Sequence, residues 1–259
     1  MRETERHNPR SVGLDLKTAK EIVRIINSED RIIPRAIGEV ISSIARGAMA
    51  IADTIERGGR VFFVGAGTSG RLGILEAAEL PATFGVSSDN FKAIMAGGSE
   101  AVFSSIEAAE DDERTGVEAL ESYGFGNKDL LVALSASGRT PFVMGAMRKA
   151  RKLKAKTVAV VCNPCSPMEE RADIAIIIET GSEVVAGSTR MKAGSAQKMV
   201  LNILTTTAMT KLGKVHDGYM IGVKPTSEKL RERATTIVAK ISGADLEEAK
   251  DALDRSGWD

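Results

Sequence analysis

Aromatic residues, cysteine and histidine are scarce in this chain of 259 residues. Aromatics make up 4% of it, and it has two cysteines and two histidines. So few aromatic side chains argue against the stacking surfaces that bind single-stranded nucleic acid. Two cysteines cannot build a disulfide framework, and a zinc site at Cys162 and Cys165 would lack two further ligands unless His7 and His216 supplied them. The composition thus favours neither a nucleic-acid binder nor a disulfide-rich or zinc-binding protein.

Net charge and long apolar runs are absent as well. Lys and Arg together number 35, as do Asp and Glu, so no overall basic field attracts nucleic acid or an anionic membrane. No apolar run approaches the roughly 18 residues of a membrane span. The charged and polar stretch Met1–Arg10 also lacks the apolar core of a secretory signal. We therefore expect a cytoplasmic protein that binds small molecules and contacts neither membrane nor nucleic acid.

Short, strongly apolar runs alternate with helical patterns after Gly59. Strands buried on both faces read as continuous apolar runs, so the pattern predicts a parallel sheet with helices on both faces. The predicted strands are Val61–Val64, Phe91–Met95, Leu130–Leu134, Thr157–Val161 and Ile174–Ile178. The predicted helices are Asp15–Asp30, Ile32–Glu56, Leu72–Leu80, Glu100–Ala109, Phe142–Leu153, Pro167–Arg171 and Met191–Leu212. The fold class is α/β, with a doubly wound sheet.

The same patterns divide the chain into three parts. Residues 1–57 are N-terminal helices expected to pack on the core, and residues 58–222 form the sheet domain. Residues 223–259 form a small C-terminal unit with helical patterns at Ser227–Ile241 and Ala244–Asp254.

The first candidate site is the glycine-rich stretch Gly65–Arg71, which follows a strand and opens a helix. Glycines let the backbone approach a ligand closely, and a helix N-terminus presents unpaired N–H groups to an anion. Gly65, Gly67 and Gly70 also match the dinucleotide fingerprint G-x-G-x-x-G, a weak signal when it stands alone. The hydroxyls of Thr68 and Ser69 suit a compact phosphate or sugar better than a dinucleotide.

The second candidate site follows the strand Leu130–Leu134 and again precedes a helix. It combines three hydroxyls, a glycine and an arginine: Ser135, Ser137, Gly138, Arg139 and Thr140. Hydroxyls and backbone N–H groups at a helix N-terminus make a nest for a phosphate monoester. Helix capping and turn formation are the alternative role of such residues. Two such turns after two parallel strands favour a phosphate site at the carboxyl edge of the sheet.

Several strings resemble a known family. Ser135-x-Ser137-Gly138-x-Thr140 resembles the phosphate loop of sugar isomerase (SIS) domains. Longer strings are similar to the N-acetylmuramic acid 6-phosphate etherase family within that group, and the resemblance runs from Arg6-His7-Asn8-Pro9 to the tail. These strings are Gly65–Gly73, Ala78–Gly85, Ala108–Asp112 and Gly187–Gly194. The chain departs from the family in two places. It has Ala78-Glu79-Leu80-Pro81-Ala82 where the family usually has Ser-Glu-Cys-Pro-Pro, and its C-terminal helical unit is shorter.

The resemblance implies a lyase that acts on a 6-phosphorylated amino sugar with neither a metal nor an organic cofactor. The family reaction removes D-lactate from C3 of N-acetylmuramic acid 6-phosphate and leaves N-acetylglucosamine 6-phosphate. By the resemblance, Glu110 is the base at C2 and Glu79 is the acid that protonates departing lactate. From the residues alone, a solvated helix end is the better interpretation of either carboxylate, because unpaired glutamates are usually exposed.

Further basic and hydroxyl residues are candidates for the phosphate site. Arg71 and Arg139 follow the two turns and could bind phosphate bidentately, or could lie on the surface. Ser188, Thr189, Arg190 and Lys192 resemble a family signature, with helix capping and a solvated basic turn as the alternative. Cys162-Asn163-Pro164-Cys165 has the spacing of a redox motif, but the family has glycine in the last position.

Two other functions remain open at the level of sequence. An aldose–ketose isomerase would also remove a C2 proton, but it would release no lactate. A non-catalytic regulator, as in glucokinase regulatory protein, would bind a sugar phosphate without turnover. The resemblance and the apolar Met191–Leu212 helix also lead us to expect a homodimer whose sites are completed by the partner chain.

Overall fold

The computed structural model describes residues 3–223, 225 and 227–258, and describes the backbone alone at Glu107. Met1, Arg2, Lys224, Thr226 and Asp259, which fall within the predicted N-terminal and C-terminal units, lie outside the described residues. Eleven α-helices and seven strands are described. The helices are α1 (Ala19–Asp30), α2 (Ile32–Gly38), α3 (Ile41–Glu56), α4 (Gly67–Phe84), α5 (Glu100–Phe103), α6 (Glu113–Ser122), α7 (Pro141–Lys152), α8 (Pro167–Arg171), α9 (Lys192–Lys211), α10 (Glu228–Ser242) and α11 (Leu246–Ser256). The strands are β1 (Val61–Gly65), β2 (Phe91–Met95), β3 (Leu130–Leu134), β4 (Lys156–Val161), β5 (Ile174–Ile177), β6 (Val215–His216) and β7 (Tyr219–Met220).

Five of the strands form one parallel sheet in the order β2-β1-β3-β4-β5. These are the five strands predicted from the apolar runs, and their ends differ from the prediction by no more than one residue. The pattern identifies them well because both faces of a covered parallel strand are apolar. The predicted α/β fold with a doubly wound sheet is confirmed.

Alternate side chains of each strand enter two separate cores. Phe63 of β1 packs in the core that also contains residues of α3, α4 and α9. Its neighbour Phe62 points to the opposite face and packs in a core with residues of α6 and α7. Both rings are almost fully buried, and burial of one such side chain stabilises a fold by about 1.5–3 kcal/mol. The sheet is therefore held from both sides.

The N-terminal helices are shorter than the sequence pattern predicts. α1 begins at Ala19 instead of Asp15, because Thr18 and Glu21 form a capping box in which each side chain pairs with the other's backbone N–H. The predicted helix Ile32–Glu56 is interrupted after Gly38, and α3 begins at Ile41.

The predicted helix Glu100–Ala109 is wrong. α5 ends at Phe103, and the chain forms a separate 3-10 turn at Glu107–Glu110. A further helix, α6, follows this turn and is missing from the sequence-based prediction. Asp112 caps it by accepting the N–H groups of Arg114 at 2.8 Å and Thr115 at 3.3 Å. A shorter helix and a separate 3-10 turn thus take the place of the predicted helix, and α6 follows beyond its range.

The C-terminal part contains a small hairpin and two helices. β6 and β7 pair antiparallel, and α10 and α11 pack against each other. Both helices begin and end within two residues of the predicted positions. Within the described part of the chain, no helix has the length and hydropathy that crossing a bilayer requires.

Candidate active site

The turns after β1 and β3 lie side by side at the carboxyl edge of the sheet. β1 and β3 are hydrogen-bonded neighbours, with Gly65 opposite Leu134 at the last position of their register. The strand order reverses here, because β2 lies beyond β1 on one side and β4 and β5 lie beyond β3 on the other. Open α/β sheets bind ligands at such a switch point. The fold thus brings the two predicted turns together.

Close backbone contacts make glycine necessary in the first turn. A Cβ atom on Gly65 would lie 2.7 Å from the backbone nitrogen of Gly70. A Cβ atom on Gly70 would lie 2.9 Å from the carbonyl oxygen of Gly65. α4 begins at Gly67, five residues before the predicted start at Leu72. Its first turn therefore presents unpaired backbone N–H groups at the carboxyl edge of the sheet.

Thr68 and Ser69, both predicted to bind phosphate, have different surroundings. Ser69 is buried, and its hydroxyl donates to Oε1 of Gln197 at 2.7 Å. Gln197 in turn donates to the carbonyl oxygen of Val160 at 3.2 Å. Ser69 therefore joins α4 to α9 and β4. Thr68 is half-buried and faces the first turn of α9, where a Cβ atom added to Gly194 would lie 3.2 Å from the Thr68 methyl group.

Three hydroxyl groups converge in the turn after β3. Ser135 Oγ lies 2.8 Å from Thr140 Oγ1 and 3.2 Å from Ser137 Oγ. It also accepts the N–H of Gly138 at 3.1 Å, and Ser137 Oγ accepts the N–H of Arg139 at 3.3 Å. Thr140 precedes α7 without capping it through its side chain. This cluster at the N-terminus of a helix can donate several hydrogen bonds to phosphate oxygens.

The shape of the second turn depends on Gly138. Its φ is +66°, and a Cβ atom there would lie 2.4 Å from Ser166 Oγ. Its carbonyl oxygen accepts the N–H of Met168 at 3.2 Å. The turn therefore packs directly on α8, and only glycine fits at this position.

Both predicted arginines donate to backbone carbonyls. Arg71 donates from Nε to Val102 at 2.8 Å and from Nη2 to Ala101 at 2.7 Å. Arg139 is exposed and donates from Nη2 to Cys165 at 3.3 Å. Arg71 is thus engaged by two carbonyls at the end of α5, whereas Arg139 makes one long contact.

The predicted stretch Ser188–Lys192 begins near the surface and ends in the interior. Ser188 and Thr189 are half-buried and Arg190 is exposed. The ammonium group of Lys192 forms an ion pair with Glu29 at 2.5 Å, and neither side chain is more than 4% exposed. The charge of Lys192 is therefore neutralised by Glu29 inside the protein.

Glu183 caps the N-terminus of α9. Its carboxylate accepts the backbone N–H of Lys192 at 3.0 Å and that of Ala193 at 2.9 Å. The capping role that the sequence left open for Ser188 or Thr189 thus belongs to a residue that sequence reasoning missed.

The pKa values of two of the buried glutamates, Glu183 and Glu29, are shifted in opposite directions. Removing a carboxylate from water raises its pKa, whereas hydrogen bonds and nearby positive charge lower it. At Glu183 burial prevails over the two backbone N–H groups and the charge of Lys192, so its pKa is raised. At Glu29 burial is outweighed by hydrogen bonds from Lys192 and Asn8 and by the charges of Lys192 and Arg10, so its pKa is lowered.

Asn8 and Asn163 attach the N-terminal segment to the second turn and to α1. Asn8 Nδ2 donates to Glu29 at 2.7 Å. Asn163 Nδ2 donates to the carbonyl oxygen of Ala136 at 2.9 Å and to Thr4 Oγ1 at 3.0 Å. Sequence reasoning missed both residues as parts of the site. The available signal was their position in Asn-Pro dipeptides, which favour turns.

A cavity of about 360 Å³ lies beside the first turn. Ala66, Gly67 and Arg71 line it together with Glu110 and Asp111. Glu110 is exposed and lies in the 3-10 turn, not at the end of the helix predicted for Glu100–Ala109. The structure thus brings one predicted catalytic carboxylate to the first turn.

A second, larger cavity of about 770 Å³ adjoins this one along β2. Met95 and Ile106 line both cavities. Most of the other residues around the larger cavity are apolar, among them Ile74 and Phe142. The carboxylate-bearing cavity therefore borders an apolar space.

Glu79 lies elsewhere in the chain. It is exposed and sits within α4, not at its end as the sequence suggested, since the helix continues through Pro81 to Phe84. The helical rise places it about 18 Å along the axis from Gly67. Within one chain, the structure therefore does not bring Glu79 to the cavity that contains Glu110.

Comparison with known proteins identifies the fold and the family. Residues 43–151 match the family model of the glucokinase regulatory protein N-terminal SIS domain, and residues 124–207 match the SIS domain. The chain is similar to a phosphoheptose isomerase from Francisella tularensis, with a TM-score of 0.58 at 16% identity over 75% of this chain and 99% of that one. It is also similar to the Vibrio vulnificus NanR protein complexed with ManNAc-6P, with a TM-score of 0.55 at 17% identity over 79% of this chain and 68% of that one. The SIS fold expected from the serine-rich turn is thereby confirmed.

The chain is also similar in sequence to etherases. An N-acetylmuramic acid 6-phosphate etherase from Clostridium beijerinckii is 45% identical over 99% of this chain and 84% of its own length. An N-acetylmuramic acid 6-phosphate etherase from Jannaschia sp. is 46% identical over 98% of this chain and 80% of its own length. Similarity of this extent covers both turns, Glu79 and Glu110. The chain belongs to the N-acetylmuramic acid 6-phosphate etherase family.

Proposed function

We propose that this chain is a carbon–oxygen lyase that cleaves the D-lactyl ether of N-acetylmuramic acid 6-phosphate. The products are N-acetylglucosamine 6-phosphate and D-lactate. The near-full-length identity to proteins of that name carries this assignment. The two turns at the switch point of the sheet and the carboxylate-lined cavity beside them support it.

The phosphate binds at the second turn in this proposal. Ser135 Oγ lies within hydrogen-bonding distance of both Ser137 Oγ and Thr140 Oγ1, so an anion placed beside this cluster could accept from all three hydroxyls. The N-terminus of α7 adds partial positive charge. Thr68, Ser188 and Thr189 lie close to or within the segment that leads into α9 and could contribute further hydroxyls. Ser69 and Lys192 have internal partners and would act by holding the helices together.

The chemistry requires a base and an acid. Opening of the sugar ring exposes an aldehyde at C1, which acidifies the proton on C2. Glu110 removes that proton, and lactate leaves C3 with its ether oxygen protonated by Glu79. The double bond formed between C2 and C3 is conjugated with the aldehyde. Water then adds at C3 and a proton returns to C2. The net reaction consumes one water and replaces the lactyl ether at C3 by a hydroxyl group.

The distance between the two carboxylates favours a site shared by two chains. Because Glu79 is about 18 Å along α4 from the first turn, its own chain does not supply it to the Glu110 cavity. Exposed apolar side chains lie on the same helix and on the adjoining one, namely Leu75 on α4 and Met199 and Ile203 on α9. A homodimer formed through these helices would bury them and place Glu79 at the partner's site. The cytoplasmic location stays a prediction.

Lactate release tests the function. We expect the protein to release D-lactate from N-acetylmuramic acid 6-phosphate and the Glu110→Gln variant to lose at least about 100-fold in rate, the lower end of general-base contributions. Exchange of the C2 proton with solvent should fall equally in this variant, whereas Glu79→Gln should retain exchange and lose lactate release. A ketose phosphate without lactate would indicate an isomerase instead. Binding without turnover would indicate a sugar-phosphate sensor.

A further inference from the structure

Arg71 connects α4 to the segment that carries Glu110. It projects from the first turns of α4, next to the glycine-rich turn, and lines the cavity together with Glu110. Its guanidinium donates to the carbonyl oxygens of Ala101 at 2.7 Å, Val102 at 2.8 Å and Ser104 at 3.3 Å. One side chain therefore joins α4 to the segment that carries Glu110.

These carbonyls need an external donor. α5 has only four residues, so most of its carbonyl groups lack a partner within the helix. The planar guanidinium matches two successive carbonyls with Nε and Nη2, a geometry that a lysine ammonium group cannot reproduce. Arg71 thus acts as the cap of α5.

The segment held by Arg71 is mostly exposed, apart from Ala101, which is buried, and Ala109, which packs against the core on the α7 side of the sheet. Gly97 and Gly98 begin it with φ values of +80° and +65°, and Phe103 is 91% exposed. The part between these two alanines buries little apolar surface, so polar contacts also hold it in place. Glu110, six residues beyond Ser104, is therefore positioned by the packing of its 3-10 turn on α7 together with the contacts of Arg71.

We propose that Arg71 is a positioning residue, which holds the segment Gly97–Asp111 so that Glu110 reaches the sugar, and that it does not bind phosphate. The proposal rests on the proposed role of Glu110 as the base. To bind phosphate bidentately, the guanidinium would have to release the partly buried carbonyl groups of Ala101 and Val102. Their loss of a partner would oppose that movement.

The test separates catalysis from phosphate affinity. In Arg71→Gln and Arg71→Lys we expect kcat for lactate release and the rate of C2 proton exchange to fall about 10- to 100-fold, since displacement by about 1 Å can have this effect. Affinity for N-acetylglucosamine 6-phosphate, measured by calorimetry, should change less than about threefold. Amide hydrogen exchange should increase in Gly97–Asp111 and stay unchanged in the turn after β3.

Arg60 offers a matched control. Its guanidinium donates to the carbonyls of Tyr123 at 3.1 Å and Gly124 at 2.8 Å, just after the end of α6. It thus also caps a helix, but it precedes β1, at the opposite edge of the sheet. Arg60→Lys should lower the melting temperature with kcat unchanged, which distinguishes general destabilisation from displacement of Glu110.

Three outcomes would overturn the proposal. The first is a loss of affinity of about tenfold or more in Arg71→Gln that Arg71→Lys restores, because this identifies a phosphate ligand. The second is unchanged kcat and exchange in both variants. The third is failure of both variants to fold. Absence of lactate release from the unsubstituted protein would instead refute the proposed function, and the amide exchange of Gly97–Asp111 would still report on Arg71.

Discussion

Cys162 and Cys165 have the spacing of a redox motif but occupy very different environments. Cys162 is fully buried, and burial, assisted by the negative charge of Glu183, raises the pKa of its thiol to about 12. A thiol with such a pKa is not the thiolate that attacks disulfides or binds metals. Cys165 is exposed and has a φ of +53°, in the left-handed region. The pair is therefore unsuited to redox chemistry.

The backbone at Cys165 leads to a stability prediction. The left-handed conformation costs a residue with a Cβ atom roughly 1–2 kcal/mol, and glycine avoids this cost but loses more entropy on folding. We expect Cys165→Gly to raise the free energy of unfolding by about 0.5–1 kcal/mol in urea titrations, the difference between these two effects. Cys165→Ala, which retains the Cβ atom, should give no such gain. Equal stabilities of the two variants would contradict the prediction.

At the level of elements, the turn after β3 is shaped by its contact with α8. A residue with a Cβ atom at position 138 would be strained by the left-handed backbone conformation. Its Cβ atom would also clash with the Ser166 side chain. Gly213, after α9, has a φ of +72° but open space around it. The two glycines therefore separate the effect of conformation from the effect of packing.

Alanine substitutions at these glycines should differ in size and in consequence. We expect Gly213→Ala to cost about 1 kcal/mol from the left-handed backbone alone, and Gly138→Ala about 3 kcal/mol because overpacking is added. Gly138→Ala should also weaken binding of N-acetylglucosamine 6-phosphate at least about tenfold, since the three hydroxyls would be displaced. Urea unfolding and calorimetry measure the two effects. Similar losses at both positions would argue against contact with α8 as the cause.

The ion pair between Glu29 and Lys192 joins α1 to the start of α9. Because both groups are buried, removing one partner leaves an uncompensated charge in the interior. Asn8 and Arg10 also donate to Glu29, so this carboxylate holds the N-terminal segment on the core. The lowered pKa of Glu29 reflects these contacts.

The sign of the pKa shift of Glu29 fixes its pH dependence. A lowered pKa in the folded state means that the unfolded state binds the proton more readily, so the contribution is present above the ordinary pKa of 4.5. It is lost as the pH falls through the lowered value. We expect Glu29→Gln to cost about 3 kcal/mol at pH 7, and the difference to shrink below about pH 4.5.

Urea unfolding from pH 7 down to pH 3 would check this dependence. The exposed pair Lys92–Asp89 provides the control, since Asp89 is 84% exposed and exposed pairs contribute little. Asp89→Asn should change stability much less than Glu29→Gln. A cost for Glu29→Gln that stays constant through the acid range would contradict the assignment.

At the scale of the whole molecule, the position of Glu79 determines how many chains form a site. Glu110 lines a cavity in its own chain, whereas Glu79 is exposed far along α4. If the partner supplies Glu79, neither single variant forms a complete site. A dimer of one Glu79→Gln chain and one Glu110→Gln chain then contains one complete site and one site that lacks both carboxylates.

Mixing the two inactive variants tests this arrangement. After the chains are unfolded together and refolded, half of the dimers are mixed, and we expect about a quarter of the original lactate release to return. Each variant refolded alone serves as the control and should stay inactive. No recovery, with dimers present in sedimentation, would place both carboxylates in the same chain. A stable monomer at micromolar concentration would refute the shared site.

Local sequence patterns by themselves determined the sheet and the two turns. Continuous apolar runs identify strands covered on both faces. The glycines of Gly65–Gly70 and the hydroxyl residues of Ser135–Thr140 mark the two turns, because they suit close backbone approach and hydrogen bonding to a ligand. The end of α5 was predicted wrongly because a short capped helix followed by a 3-10 turn has the composition of one longer helix, and α6 was missed. Their boundaries depend on Asp112 as a cap and on Arg71 as an external donor.

Only the tertiary structure decided which polar side chains face one another. Arg71, Lys192 and Ser69 all have the chemistry of phosphate ligands, yet their partners are a helix end, a buried carboxylate and a glutamine. Long side chains bond to whatever the fold places across from them, and sequence spacing does not contain that information. The same reason separates Glu79 from Glu110 within the chain. The sequence by itself determined the kind of site, and the packing of distant elements decided which residues can reach it.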